Sequence, residues 1–523
     1  MKMLRGLVVS GALATGANRV ARAQAVCWAA TRDIAALSPR SRLADMSLPG
    51  QPFRDVIADG TGCALRPEQL IGAYANIAGV DINLSIQPLT VRGSILGGLP
   101  DARDNGPSWT GRGANAFART GVSLDVGHVH FIGAPQVWYA QNTAFDVMPS
   151  TIPSRSPFAS PWYGPPFSID LPSRLGVKPI TELDPGESSA WINAGPVDAG
   201  VSTSTQQWGP GERGNLILGP DAPGIPRIFL RTAHAIDTPI GSFGATAFVG
   251  TLTASRFFLT DSANQLRSLT AWNVAWSPGD SSTFVAGVAH ATMQLGARFD
   301  GSSQPLRGPK DGINEVYFQF RDPRTGIRAW TEIGHQGGIS GVRQLVTIPY
   351  QGLAYIVGLD RAILRRSNVL LLSAEATDLE QPTDIRGVTA QDFYTSSDIA
   401  AGWTQRGMLL GYPTGPGSQE QWLSGDWIAN RWSAGVFAER VRWNEDALFR
   451  QYLPYPNRHD VTVRAGVRGG IVVFDTELAL EASIGKRLNY LFQDDMFIPG
   501  YRTVDVSVPQ LRFTLTPAAH GRP

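Results

Sequence analysis

The 523-residue sequence predicts an all-β fold: a transmembrane antiparallel β-barrel of about 18 strands with a short N-terminal periplasmic segment. Three observations predict it. Segments alternating with period two recur from residue 79 to the C-terminus, and several run 8–14 residues. That exceeds the roughly 5–6 of soluble strands and meets the roughly 9–11 of a tilted membrane strand. The polar faces carry Arg, Asp, Glu, Gln and Tyr, which can hydrogen-bond one another across a lumen, where a water-facing sheet would carry Lys, Thr and Glu. The chain also opens with an export signal.

Composition narrows the classes. Hydrophobic residues make up 43% and charged residues 17%, with 57 Gly and 14 Trp. Abundant aromatic and β-branched residues argue against disorder. Scattered Gly and Pro argue against a coiled coil, and no mature stretch reaches about 18 uninterrupted apolar residues, which excludes helical spans. A net charge of +1 gives no electrostatic case for nucleic acid.

Taken in order, residues 1–23 read as a signal peptide: Lys2 and Arg5, a small apolar run Gly6 to Ala17, then Ala21-Arg22-Ala23 before Gln24. The segment holds four cations and no acid, so its removal takes the net charge from +1 to −3. Residues 24–78 form the N-terminal periplasmic segment, with room for a short helix around Pro67 to Ile77. Cys27 and Cys63 either pair in an oxidising periplasm or stay as two thiols.

The barrel spans 79–517. Val80, Ile82, Leu84 and Ile86 alternate with polar residues, as do Val316, Phe318 and Phe320 against Glu315, Tyr317, Gln319 and Arg321. Val461, Val463 and Val467 alternate with Arg464 and Arg468; Leu478, Leu480 and Ile484 with Asp475, Glu477 and Glu481. Nine of these polar residues are therefore predicted to face the lumen: Glu315, Tyr317, Gln319, Arg321, Arg464, Arg468, Asp475, Glu477 and Glu481. Aromatics at the apolar ends, Trp272, Trp276, Trp443, Tyr501 and Phe513, suit interfacial girdles.

Strand centres fall near 83, 120, 134, 201, 229, 249, 272, 287, 318, 329, 350, 372, 402, 424, 437, 464, 478 and 508. Pro509 shifts the parity from Val504/Val506/Val508 to Leu511/Phe513/Leu515, as a bulge would. The longest irregular stretch is 141–195; others are 300–312, 380–392 and 411–420. No repeat of 20–50 residues supports a propeller, and residues 518–523 form a tail.

Catalytic chemistry is sparse. His128 and His130, two apart in a strand, would share a face, but no third ligand is near in sequence. No nucleophile-elbow, zincin, phosphate-loop or calcium-loop motif occurs. Asp475 and Glu477 beside Arg464 and Arg468 read as a wall-to-wall charge network more simply than as a glycosidase pair. No metal or organic cofactor is indicated.

One string is specific: Gln207-Trp208-Gly209-Pro210-Gly211, then Leu216-Ile217-Leu218 and Pro223-x-x-Pro226. It resembles a signature of the Wzi family of outer-membrane capsule assembly and attachment proteins. Later segments agree in order: Tyr317-Phe318-Gln319, Trp330-Thr331-Glu332-Ile333-Gly334, Tyr355-x-x-Gly358-Leu359-Asp360, Leu372 to Thr377, Tyr394-Thr395, and Gly407-x-x-Leu410-Gly411-Tyr412-Pro413. The likeness covers roughly 195–515. Here Gly219-Pro220-Asp221-Ala222-Pro223 stands where the family carries an Asn and an Arg.

The resemblance implies an 18-stranded outer-membrane barrel, lectin-like rather than enzymatic. It would bind capsular or exopolysaccharide, sit in outer-membrane lipid as a monomer, and contact no nucleic acid. Sugar rings need flat aromatic faces, and hydroxyls need planar polar groups. Trp138, Tyr139, Trp162, Tyr163, Trp422, Trp427, Tyr452 and Tyr455, placed in loops, would supply the first. Arg155, Arg174, Asn193, Arg406, Gln419 and Gln421 would supply the second. The competing readings are a porin for small polar or anionic solutes using Arg321, Arg464 and Arg468, a barrel enzyme, and a soluble periplasmic β-protein.

Overall fold

In a computed structural model, the described residues are 39–40, 43, 57–58, 71–101, 103, 105–259, 266–278, 283–295, 310–337, 351–381, 391–452, 459–474, 476–493 and 504–517. They form an all-β, closed antiparallel barrel of 18 strands. The wall runs Val80–Leu96, Gly113–Val126, Val129–Gly133 continued by Gln136–Ala140, Ile180–Asp184 continued by Ser189–Ala194, Val197–Ser202, Arg227–Thr232 and Gly241–Leu252. It continues through Arg267–Ser277, Phe284–Leu295, Lys310–Asp322, Ile327–Gln336, Leu353–Arg365, Asn368–Asp378, Gln419–Ile428, Trp432–Trp443, Asp460–Val473 and Thr476–Leu488. One position, the seam, is shared by two pieces from opposite ends of the chain. Gln510–Pro517 pairs with Val91–Leu96, and Ile71–Ile77 pairs with Val80–Ile86 on the same edge.

Closure removes the unpaired strand edges that lipid cannot hydrate. The alternation then sorts side chains by face. Val316 and Phe318 point outward and exposed, while Glu315, Tyr317, Gln319 and Arg321 point inward and are buried. Leu423, Val436, Val463, Val467, Leu480 and Ile484 extend the same apolar exterior. Inside, large rings lie over small neighbours on the adjacent strand. A Cβ at Gly358 would come within 2.0 Å of the Trp330 ring, and one at Gly287 within 2.1 Å of Tyr317. These glycines are the sites where an aromatic ring can lie flat along the wall.

The two ends differ. At one, hairpins close in a few residues: Ala78-Gly79, Gly127-His128, Gly195-Pro196, Arg366-Ser367. At the other, connections are long, and many turn inward. Short turns at one mouth and long loops at the other are the asymmetry of bacterial outer-membrane barrels.

Several expectations need correction. The barrel reaches back to Ile71, into the stretch assigned to the N-terminal segment, and Ile71–Ile77 is a strand where a helix was expected. Its apolar residues and Tyr74 gain a hydrogen-bonded partner in Val80–Ile86 that no isolated helix would have. The strand expected near 402 is absent from the wall; that segment lies in a lumen loop, with a two-residue pairing of Thr404–Gln405 to Met408–Leu409. Ile180–Asp184 and Ser189–Ala194 form a wall strand inside the stretch read as the loop 141–195. The count of 18 therefore holds through two compensating errors. Trp443 turns inward rather than into a girdle, donating to Thr462 Oγ1 at 2.9 Å.

The bulge expected at Pro509 is absent: Ser507 opposite Lys486 and Gln510 opposite Ser483 keep one register, so Val508 shares the inward parity of Gln510 and Arg512. Val508 is buried, Leu511 and Phe513 are exposed outside, and the Pro509 carbonyl accepts from Gly97 N at 2.9 Å. The signal peptide, Cys27, Cys63, Tyr501, Asp475 and the tail 518–523 lie outside the described residues.

Candidate functional site: a lumen plug held by wall carboxylates and guanidiniums

The loop between Ser202 and Arg227 enters the barrel. Its apolar string Leu216-Ile217-Leu218 is fully buried, as is Trp208, whose ring meets Phe248 edge-on at 5.6 Å. Gln207 and Trp208 also pair with Ile57–Ala58, so part of the N-terminal segment lies in the lumen too. Gly209 adopts φ +106°, and a Cβ there would lie 2.3 Å from Glu332 Oε1. Glycine is required at that position on both counts.

The turn is gripped by two carboxylates from the wall. Glu332 accepts from Gly211 N at 2.7 Å, Asn215 Nδ2 at 2.7 Å and Leu216 N at 2.9 Å. Glu375 accepts from Glu212 N at 2.7 Å, Arg213 N at 2.9 Å and Trp330 Nε1 at 2.9 Å. Successive backbone N–H groups thus form a nest around anions that the wall supplies. Cations complete the grip. Arg328 donates to Pro210 O at 3.1 Å and to Gln319, pairs with Glu212, and lies over the Trp330 ring at 4.6 Å. Arg213 reaches Glu439 at 2.8 Å and Glu420 at 3.3 Å, with its guanidinium 5.2 Å over Trp422.

A second loop, 391–418, packs on the first. Tyr394 Oη donates to Leu216 O at 2.7 Å and accepts from Tyr412 N at 2.8 Å. Gly219 N donates to Leu410 O at 2.6 Å. Gly411 sits so close that a Cβ would lie 2.3 Å from Tyr394 Oη.

The third inserted segment, 97–112, centres on Asp101. It takes Arg103 Nε at 2.9 Å, Arg464 Nη1 at 2.9 Å, Arg512 Nη2 at 3.3 Å and Gln510 Nε2 at 2.7 Å. Arg464 and Arg103 also reach Glu439, at 2.6 and 3.1 Å. Asp221 ties this segment to the first loop, accepting from Asn105 N and Gly106 N at 3.2 and 3.0 Å. The residue that departs from the family string therefore has its own anchoring duty.

Burial works to raise the Asp101 pKa, but the Arg103, Arg464 and Arg512 guanidiniums override it and hold the carboxyl well below the ordinary carboxylate range. A depressed folded-state pKa adds stability that is complete above the unfolded value of about 4 and lost as pH falls through the folded one. Acid unfolding of wild type in micelles should therefore steepen below about pH 4, and Asp101→Asn should flatten that limb while lowering stability at pH 7. The check is a pH series of thermal unfolding for both proteins.

Two small cavities, one beside Arg468 and Arg512 and one beside Arg92 and Trp109, hold about 10 Å³ each, room for about one water.

The sequence-predicted residues divide cleanly. Glu315, Tyr317, Gln319, Arg321, Arg464, Arg468 and Glu477 are lumen-facing and buried, and Glu481 is half-buried on the same face. Arg468 forks onto Asp426 at 2.7 and 2.6 Å. Most of the proposed sugar-binding aromatics are not on loop surfaces. Trp138 and Trp422 are buried on wall strands facing inward, while Tyr139 and Trp427 share the outward parity of those strands. Trp162 packs on Phe492 at 5.5 Å, and Tyr163 Oη donates within a buried loop contact to Asn444 Oδ1 at 2.9 Å. Arg174 is buried, donating to Asn142 O at 2.6 Å, and Arg155 donates to Ser168 Oγ at 2.8 Å over the Phe258 ring. Asn193 donates to Asp198 at 2.9 Å and Arg406 to Asp184 at 2.5 Å. Tyr452 ends the helix Glu445–Tyr452, and Tyr455 lies outside the described residues.

His128 occupies a turn, exposed, while His130 stacks on Trp191 at 5.1 Å and meets Asp125 at 2.8 Å. The two do not converge. Sequence reasoning named Glu332 and Glu375 only as motif members and left out Asp101, Arg213, Arg328 and Glu439. The wall members of that group sit at inward parity in strands already recognised, so parity alone could have found them.

Fold and lumen together define an outer-membrane-type β-barrel whose interior is occupied by its own loops. The sequence matches no protein-family profile and no curated protein. Among solved structures it is similar to Wzi of Escherichia coli, an outer membrane protein involved in group 1 capsule assembly described as a carbohydrate-binding β-barrel. The identity is 10%, the TM-score 0.52, and the match covers 83% of this chain and 85% of that one. OccAB2 of Acinetobacter baumannii matches at 9% identity and TM-score 0.40, over 82% of this chain and 97% of that one. OccK5 of Pseudomonas aeruginosa matches at 8% and 0.41, over 83% and 98%. The likeness to the first of these shows a shared fold.

Proposed function

We propose that this protein is a non-conducting outer-membrane barrel that binds surface polysaccharide at its long-loop end and helps attach or assemble a capsule or exopolysaccharide. It acts as a monomer, by binding rather than by catalysis. One observation carries the reading: the wall's charges are spent on holding loops inside the barrel. Glu332, Glu375 and Arg328 bind backbone groups of 210–216, and Arg464 binds Asp101 and Glu439. A solute-selective pore would leave such groups facing an open path. The fold shared with a barrel described as carbohydrate-binding supports the ligand class. The sugar contacts then belong to the outer surface of the long loops rather than to the buried Trp138, Trp162, Tyr163 and Trp422.

The test is twofold. Wild-type protein in planar bilayers should give no steady conductance steps, and it should bind the producing bacterium's purified surface polysaccharide. Discrete ohmic steps without polysaccharide binding would instead favour the porin reading.

A further inference from the structure

The short-turn rim carries arginines that the plug does not use. Three successive hairpins hold them: Asp322–Ile327, Arg365–Asn368 and Ile428–Trp432. Register places these side by side, with Ile327 opposite Arg361 and Val369 opposite Ile428. Arg324, Arg365, Arg366 and Arg431 are exposed and Arg361 is half-buried. Among the described residues none of the five makes a close ion pair, although Arg324 acts electrostatically on its neighbour Asp322. The one carboxylate on these hairpins, Asp322, is occupied locally, accepting from Thr325 Oγ1 at 2.7 Å and Arg324 N at 3.0 Å.

At two other described turns of this rim the charge is acidic or balanced. Asp125 faces His130 near one turn, and Asp237 accepts from Ser242 at 2.5 Å near another. The arginine arc is also edged by outward apolar side chains: Phe320, Leu364 (70% exposed) and Trp432.

We propose that this arc binds the headgroups of anionic phospholipid in the leaflet that meets the short-turn end. Charge complementarity selects an anion, and the guanidiniums fork onto phosphate oxygens. The apolar edge selects a lipid over a soluble anion. Arginine stems lie along apolar surface while their heads reach the polar layer, and tryptophan sits at the headgroup level. A free phosphate or an acidic soluble partner would gain nothing from Leu364 and Trp432.

The test uses the full chain purified in a zwitterionic detergent. It is offered equal amounts of short-chain phosphatidylglycerol and phosphatidylcholine, and bound lipid is counted by native mass spectrometry. Wild type should retain phosphatidylglycerol at least about tenfold over phosphatidylcholine, given roughly 1 kcal/mol per cation near an anionic surface. The variant with Arg324→Ser, Arg365→Ser, Arg366→Ser and Arg431→Ser should lose that preference, and the corresponding lysine variant should keep most of it. Folding of each is checked by heat-modifiable migration, which the plug and wall determine and these exposed turns do not. Equal retention in wild type and the serine variant overturns the proposal. So does displacement of the lipid by the same concentration of inorganic phosphate, which would make the arc a phosphate site.

Discussion

Replacing Glu332 and Glu375 together by alanine is expected to open the barrel. Each carboxylate accepts three hydrogen bonds from groups that have no water to turn to. Loss of Glu332 orphans Gly211 N, Asn215 Nδ2 and Leu216 N; loss of Glu375 orphans Glu212 N, Arg213 N and Trp330 Nε1. An unsatisfied buried donor costs about 1–3 kcal/mol, so each single variant should loosen the plug by roughly 3–5 kcal/mol, less whatever hydration recovers. The double variant should leave the 211–216 turn without its wall carboxylates, while Arg328 on Pro210 O, Arg213 on Glu439, Tyr394 on Leu216 O and the packing of Leu216 to Leu218 remain. In planar bilayers it should show fluctuating conductance where wild type is silent. Glu332→Gln keeps one acceptor oxygen and should fall between. A silent, folded double variant would mean that apolar packing alone keeps the plug seated.

The second large effect is expected at Arg464. Its guanidinium bridges Asp101 of an inserted loop, Glu439 of the wall and Gln510 of the seam strand. Arg464→Ala leaves two buried carboxylates with less cationic compensation, a change that costs about 3–5 kcal/mol when one partner of a buried pair is removed. The midpoint of the heat-modifiable gel shift should fall by several degrees. Arg464→Lys should rescue little, because a single ammonium cannot fork between Asp101 and Glu439 while also reaching Gln510. Arg361→Ala, on the exposed rim, should leave the midpoint within about 0.5 kcal/mol of wild type. A midpoint unchanged in Arg464→Ala would show that Arg103, with Arg512 on Asp101 and Arg213 on Glu439, satisfies both carboxylates without it.

Much of the fold was legible because a strand's two faces are written in alternate residues. Val316 and Phe318 against Glu315 and Tyr317 gave outward and inward faces with no structure in hand, and the structure keeps that sorting. The bulge expected at Pro509 did not form: the strand keeps one register across the proline, and Val508 before it faces inward. What failed was local. Ile180–Asp184 and Ser189–Ala194 read as loop because Pro185-Gly186 splits them into pieces too short to show a period. The segment at 402 read as strand because its Trp403 and neighbouring apolar residues are buried, but they are buried inside the lumen by a loop.

The site was legible only in pieces. The Trp-Gly-Pro-Gly string, the strands bearing Glu332 and Glu375, Tyr394 and the Gly411-Tyr412 turn were each noticed in sequence as separate motifs. Nothing in their spacing says that they meet, because they meet across the barrel, with contacts such as Gly211 to Glu332 and Tyr394 to Leu216 far apart in the chain. The aromatics offered as sugar platforms were misplaced for the complementary reason. A large ring in a Gly/Pro-rich loop is as well explained by packing against neighbouring loops as by facing outward, and Trp162 and Tyr163 do the former, against Phe492 and against Pro416 and Asn444.

The most direct test of the account compares cell-attached with shed surface polysaccharide in the wild type, a deletion strain, and the deletion complemented with this chain. The account predicts that polysaccharide is made in normal amount but moves into the medium in the deletion strain, and returns to the cell on complementation. An unchanged distribution across the three strains would contradict attachment and leave this barrel with another task.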